Sequence, residues 1–318
     1  MSDRPKMMQR AAFGNTLVEL GEQNPHIVVL DADISSSLNT VHFAKRFPDR
    51  HINFGVAEQN MLIGAAGLST TGLIPIACTY ATFATLRACE QIRSFICYAK
   101  LNVKIVCSHG GIEVGWDGPT HHGTEDVAIM RSMPNMSVVV PADAVATSAL
   151  IRQVVDQVGP FYFRMGRNPT PIIYGKDQQF TIGKAVQLSE GGDVTLVAMG
   201  VMASVALDAV EILTRRGIRA CLLDMHTIKP LDEEALLEAA KSTPLMVTLE
   251  DHNVIGGLGS AVAEFLSGCH PVPLLRIGVP DVFTESGDPA LLFQKYAMDA
   301  PSVAARVEKA LQELTLTR

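Results

Sequence analysis

Large rings are scarce in this chain. Aromatic residues make up 6% of 318 residues and there is a single Trp, so packing falls mainly to smaller side chains, with 25 Gly allowing close approach of helices and strands. Positive charge is also in deficit. Lys plus Arg number 26 against 33 Asp plus Glu, a formal charge of −7, which disfavours a general nucleic-acid binder. The six cysteines (Cys78, Cys89, Cys97, Cys107, Cys221, Cys269) show no CxxC spacing and no zinc-ligand pattern. They read as reduced, buried thiols of a cytoplasmic protein. One stretch, Gln59 to Leu86, lacks charge altogether and is long enough to span a bilayer. Ser69-Thr70-Thr71-Gly72 and Pro75 interrupt it, a break that would be costly in lipid. It is expected instead to be a buried helix, a turn and a buried strand ending near Cys78, with no membrane contact. The opening Met-Ser-Asp-Arg-Pro-Lys carries no secretory pattern and is expected to lead straight into a helix.

What is present is core material. At 47% hydrophobic and 19% charged, the chain is expected to fold, and its length suits two domains. Short apolar segments alternate with helical patterns. Strands are expected at Ile27–Leu30, His51–Phe54, Ile74–Ala77, Val103–Val106, Ser137–Val140 and Phe161–Phe163. Helices are expected near 8–20, 41–47, 58–68, 83–99, 126–133 and 143–158. Residues 168–192, rich in Pro and Gly, read as a linker. The alternation then resumes, with strands at Val194–Ala198, Ala220–Leu223, Leu245–Leu249 and Pro273–Ile277 and a last helix near 302–314. The expected class is α/β: two doubly wound domains with mainly parallel sheets, at 1–180 and 181–318.

Three features could carry chemistry. In Gly55-Val56-Ala57-Glu58-Gln59-Asn60, a carboxylate opens a helix directly after a strand. Glu58 there either offsets the helix dipole or is a buried carboxyl that shares a proton with a bound heterocycle. The second feature runs from His109 to Gly123, with five glycines, three histidines and the only Trp. It follows a strand, where open α/β sheets place ligands. A purely structural loop is one alternative and a metal site another, although tight zinc-ligand spacing is missing. The third, Thr79-Tyr80-Ala81-Thr82-Phe83, is either core aromatics or a platform for a flat ring.

In this order, the three features resemble the C-terminal portion of transketolases: a pyrimidine-binding domain of a thiamine diphosphate enzyme followed by the family's C-terminal domain. The Asp-Gly-Pro-Thr-His run from Asp117 to His121 is specific to transketolase-like enzymes. Lys45 to Arg50 and Ala57-Glu58-Gln59 look closer to deoxyxylulose-phosphate synthase. Glu250-Asp251-His252 and Gly256-Gly257-Leu258-Gly259 are similar to the C-terminal domain across the superfamily. The likeness runs from about Arg10 to the last helix. Gly-Asp-Gly, with which the family anchors the diphosphate and Mg²⁺ together with a later Asn, is missing from the chain. The resemblance therefore implies one half of a split transketolase, with Mg²⁺ bound mainly by an N-terminal partner subunit carrying that motif, in an α2β2 assembly or around a β dimer.

The resemblance also implies roles. Glu58 would hydrogen-bond the cofactor's pyrimidine, Phe83 and Tyr80 would stack near it, and Asp33 would lie on the cofactor side. His121 would contact the hydroxyls of a transferred two-carbon unit, and Asp117 would read the acceptor's hydroxyl. His109, Arg10, Ser37 and Arg167 would clamp a sugar phosphate, with Arg164 competing for Arg167's place. No metal ligand is expected in the chain itself. The family usually has Glu at Trp116, Gln at His122 and often Tyr at Leu86, and Gly123 replaces the transketolase Pro. The C-terminal domain shows no obvious active-site residue, and its expected role is subunit packing. Other readings are the beta subunit of a 2-oxo acid dehydrogenase, a deoxyxylulose-phosphate synthase half-enzyme, and a noncatalytic scaffold subunit.

Overall fold

Two runs of alternating strand and helix build two sheets in a computed structural model, which describes residues 4–316. The opening reading falls partly on Met1–Asp3, outside the described residues. From there the chain forms β1 (Lys6–Met8) before the first helix, Gln9–Gln23, rather than entering the helix directly. The first half then supplies β2 (Ile27–Asp31), β3 (His51–Asn53), β4 (Ile74–Tyr80), β5 (Lys104–Ser108), β6 (Ser137–Val139) and β7 (Phe161–Arg164). The stretch expected to be a linker holds β8 (Pro169–Pro171) and β9 (Val186–Ser189). After it come β10 (Val194–Ala198), β11 (Ala220–Asp224), β12 (Thr227–Lys229), β13 (Met246–Asn253) and β14 (Leu274–Val279).

The larger sheet has the order β12-β6-β7-β5-β4-β2-β3 and the smaller β14-β13-β10-β11-β9. Strands β2 to β7 pair in parallel throughout. Antiparallel strands, β12 and β9, are added at one edge of each sheet. Because β12 comes from the second half yet extends the first half's sheet, the halves share a continuous ladder. The interior strands β2 and β5 are buried along their whole length, as expected where helices cover both faces. Gln59–Leu86 forms all but the first residue of the Glu58–Ser69 helix, a turn, β4 and the start of the Phe83–Arg87 turn, and no helix among the described residues is long and apolar enough to cross a membrane.

Two local departures shape the site. Residues 83–99 do not make one α-helix. The chain winds in wide turns, looser than an α-helix, at Phe83–Arg87 and Ile92–Cys97 around a short α-turn, Cys89–Gln91. Such wide turns arise where a helix must bulge around a site, and here the Thr85 hydroxyl donates back to the Ala81 carbonyl at 2.8 Å. The Pro-rich segment was unreadable as a strand because Pro suits only edges. β8 is such an edge, paired antiparallel with β1 in the register Lys6↔Pro171.

Candidate active site

Within the larger sheet the chain leaves β2 toward β3 and returns to β4 on β2's other side. This reversal opens a crevice at the carboxyl ends of the parallel strands, where open α/β sheets place ligands. The expected site residues follow those ends: Ser37 after β2, Glu58 after β3, Tyr80 and Phe83 at the end of β4, His109 directly after β5, and Arg167 after β7.

A cluster of rings lines the crevice. Tyr80 lies over His109 with ring centroids 3.9 Å apart, and Phe83 is 5.8 Å from Tyr80. His121 meets Phe83 edge-on at 5.2 Å and Tyr80 at 6.0 Å. On one side of the rings stands Glu58, the first residue of the Glu58–Ser69 helix and only 2% exposed. Its Oε2 accepts from Arg87 Nη1 at 2.7 Å, and the Arg87 guanidinium sits 4.4 Å above the Phe83 ring. Glu58 is thus buried as expected, but it faces a cation, which the sequence did not announce. The wide Phe83–Arg87 turn is what brings this arginine back over the ring.

On the other side a polar chain runs outward. Tyr80 Oη donates to Ser37 Oγ at 3.1 Å, and Arg10 Nη1 reaches the same oxygen at 3.2 Å. Arg10 also donates through Nε and Nη2 to the Arg167 carbonyl, at 3.1 and 2.8 Å. Asp117 Oδ2 lies 3.5 Å from both His109 Nε2 and Arg167 Nε. Burial beside Arg10 and Arg167 pulls His109 down to about 3, so its imidazole stays neutral. Burial and the neighbouring Arg167 also pull Arg10 down from its ordinary value. The pairing of β1 with β8 sets the Arg10–Arg167 contact, because it holds the start of the first helix against residues 167–171.

Asp33 does not join this cluster. It is exposed, with a positive φ of 64°, and exchanges hydrogen bonds with the Asn53 side chain at 3.1 and 3.0 Å. Arg164 lies apart from Arg10 and Arg167 and is engaged elsewhere. At 4% exposure its Nε pairs with Asp126 at 2.7 Å, and Nη2 donates to the Gly123 and Asp251 carbonyls. It clamps the His-rich loop to the C-terminal half. Of the departures from the family pattern, Trp116 and Leu86 are exposed, whereas His122 is buried between the Thr284 hydroxyl and the Gly115 carbonyl.

The C-terminal half does more than pack. Asp251, at the end of β13, accepts the Ile112 and Glu113 amides at 2.8 and 3.2 Å, and burial pushes its carboxyl up to about 6. Gly111 sits beside it at φ 84°, and a Cβ there would overlap the Asp251 carboxylate. Sequence reading missed Asp251 as a support, and with it Arg87 and Glu113, since each acts through a contact distant in sequence.

Residues 5–171 match the transketolase pyrimidine-binding domain and residues 183–303 the transketolase C-terminal domain. The chain belongs to the transketolase family. A putative transketolase C-terminal section from Methanocaldococcus jannaschii is 48% identical over 96% of both chains. The 6-deoxy-6-sulfo-D-fructose transketolase subunit SqwH from Clostridium sp. is 43% identical, over 92% of this chain and 91% of that one. A solved split-gene transketolase, described as an inactive beta4 tetramer, superposes with a TM-score of 0.89 at 49% identity, over 97% of this chain and 99% of that one. This transketolase chain therefore has the length and domain content of such split-gene subunits. It also matches about half of longer proteins, such as a 1-deoxy-D-xylulose-5-phosphate synthase from Desulforudis audaxviator, 38% identical over 47% of that protein.

Transketolases depend on thiamine diphosphate, and the residues present fit the ring end of that cofactor. A buried carboxylate, a half-buried aromatic face and two histidines converge at one crevice.

Proposed function

We propose that this chain is the C-terminal subunit of a split transketolase that moves a two-carbon ketol group from a ketose phosphate to an aldose phosphate. It works with an N-terminal partner that carries Gly-Asp-Gly and a later Asn and holds the diphosphate and Mg²⁺. The observation that carries the reading is the unbroken run of contacts from Glu58 through Arg87, Phe83, His121 and Tyr80 to Ser37 and Arg10. It joins a ring-binding end to an anion-binding end.

Thiamine diphosphate, when bound, supplies the nucleophilic carbon that breaks and remakes the carbon–carbon bond. The rest falls to the protein. Glu58 holds a proton on the aminopyrimidine nitrogen, leaving Arg87 to do so, and its burial keeps that exchange away from water. Phe83 presents its face to the flat ring, and Asp33 flanks the cofactor side of the crevice. His121 donates to hydroxyls of the two-carbon unit, and Asp117 accepts from the hydroxyl beside the acceptor carbonyl. Arg10 and Arg167, with Ser37 and His109, receive the phosphate.

Exposed apolar side chains support a subunit contact next to this site. Val56 is 74% and Tyr98 86% exposed, with Ile52, Ile63, Leu86 and Phe95 also open. Val56 and Ile63 line the groove that holds Glu58 and Arg87, and an apolar surface of this kind marks an interaction site. The test is reconstitution. The chain alone is inactive, and adding the partner, thiamine diphosphate and Mg²⁺ gives ketose–aldose exchange. Equal exchange by the chain alone removes the split site. Pyruvate consumption with glyceraldehyde phosphate in place of exchange would move the assignment to deoxyxylulose-phosphate synthesis, a reading favoured by the 38% identity to such enzymes.

A further inference from the structure

Glu113 has no part in the steps above, yet it is 5% exposed and lies beneath the phosphate-binding arginines. Its Oε1 accepts the backbone amides of Arg167 and Asn168, the latter at 3.0 Å, and Oε2 also meets the Asn168 amide at 3.3 Å. The Asn168 side-chain amide closes the arrangement by donating to the Glu113 carbonyl. From the other side, Gln9 Oε1 accepts the Gly166 amide at 2.7 Å. Three successive amides, of residues 166 to 168, are thus tied to two buried side chains. This turn is where Arg167 projects toward Asp117, and its carbonyl is where Arg10 is anchored. A carboxylate at this point also offsets the repulsion between the two guanidiniums, since Arg167 lowers Arg10 while Glu113 and Asp117 raise it. Asp251 faces Glu113 from the C-terminal half, holding its amide at 3.2 Å.

We propose that Glu113 is a positioning residue for phosphate recognition: its buried carboxylate fixes the 166–168 turn so that Arg10 and Arg167 converge on one sugar phosphate. The proposal rests on the reading in which those arginines bind the substrate's phosphate. It assigns Glu113 to substrate discrimination rather than to the chemical step.

The test compares D-xylulose 5-phosphate with D-xylulose as donor in the reconstituted enzyme. Glu113→Ser raises KM for the phosphorylated donor at least ~tenfold, the scale of one charge-assisted contact. It leaves kcat for both donors, and KM for D-xylulose, within about twofold. Glu113→Gln keeps an amide oxygen in the place of Oε1 and restores most of the KM. Should the Ser variant fail to fold, Glu113→Asp, one methylene shorter, carries the same comparison. Equal losses on both donors, or an unchanged KM for the phosphorylated one, overturns the proposal.

A second readout needs no cofactor. Trp116, the one tryptophan, lines the same groove as Arg167 and Asn168, so its fluorescence follows titration of the full chain with inorganic phosphate. Weaker phosphate binding by the Ser variant than by the wild type, together with no ketol transfer by the reconstituted wild-type enzyme, would uphold the positioning role and sink the transketolase reading. Phosphate binding that is unaffected by the substitution overturns the positioning role whether or not transfer occurs.

Discussion

Gly111→Ala puts the contact between the two halves of the chain under direct test. Gly111 has φ 84° and ψ −171°, a region that is essentially Gly-only and costs another residue about 1–3 kcal/mol. The new methyl would overlap the Asp251 carboxylate. Moving that carboxylate strips acceptors from the Ile112 and Glu113 amides, at about 1–3 kcal/mol for each buried donor. The sum is roughly 3–9 kcal/mol, a large part of the ~5–15 kcal/mol by which domains are stable. In a domain of this size, at ~2–4 °C per kcal/mol, it lowers Tm by about 6–36 °C. Thermal unfolding of the full chain reads this shift. A control, Gly67→Ala, lies within the Glu58–Ser69 helix with nothing near the added methyl, and gains up to about 1 kcal/mol from helix propensity. In an Asp251→Ala background the Gly111 substitution retains only the backbone strain, so the double-mutant cycle gives a coupling of roughly 2–6 kcal/mol, the two amides together. A Gly111→Ala chain within 1 kcal/mol of wild type would refute the account of Asp251 as the support of the loop.

Glu58→Gln in the reconstituted enzyme keeps the shape but removes the acid, and turnover falls at least ~100-fold; near-normal single-turnover rates would take Glu58 out of the reaction. Arg164→Met leaves Asp126 buried without its ion-pair partner and costs about 3–5 kcal/mol, read by urea unfolding. A loss confined to KM would instead return Arg164 to the phosphate site. His252 is held neutral by burial, at about 4, and its Nε2 accepts the Ala128 amide at 3.3 Å while Nδ1 donates to the Asn253 carbonyl at 2.6 Å. Its folded value lies below its unfolded one, so the stability it contributes is present above pH ~6.5 and is lost as pH falls toward ~4. Relative to His252→Gln, the wild type should lose about 2 kcal/mol between pH 7 and pH 5, and parallel pH profiles would contradict this.

The elements that position the site were mostly legible in the sequence. Ile27–Leu30 is a short apolar run, Val103–Val106 and Val194–Ala198 are apolar but for Lys104 and Thr195, and each became a buried parallel strand. Glu58 at a strand-to-helix junction and the Gly- and His-rich loop marked the carboxyl end of that sheet. The 83–99 segment misled because helical periodicity does not reveal a wide turn. β1, β8 and β12 were missed because each is short and takes its partner from far along the chain.

Local pattern by itself determined the α/β class, because burial on both faces of a parallel sheet imposes its own apolar spelling, and it marked Glu58, the Tyr80–Phe83 segment and the 109–123 loop; Arg10, Ser37 and Arg167 were marked only by the family resemblance. It could not determine who pairs with whom. Only the tertiary structure set Arg87 on Glu58 and Phe83, withdrew Arg164 to Asp126, placed Asp251 under the loop, and laid Glu113 beneath Arg10 and Arg167. The physical reason is common to all four. A buried charge must find a partner, and which partner lies within reach is decided by strand order and register, not by neighbours in the chain.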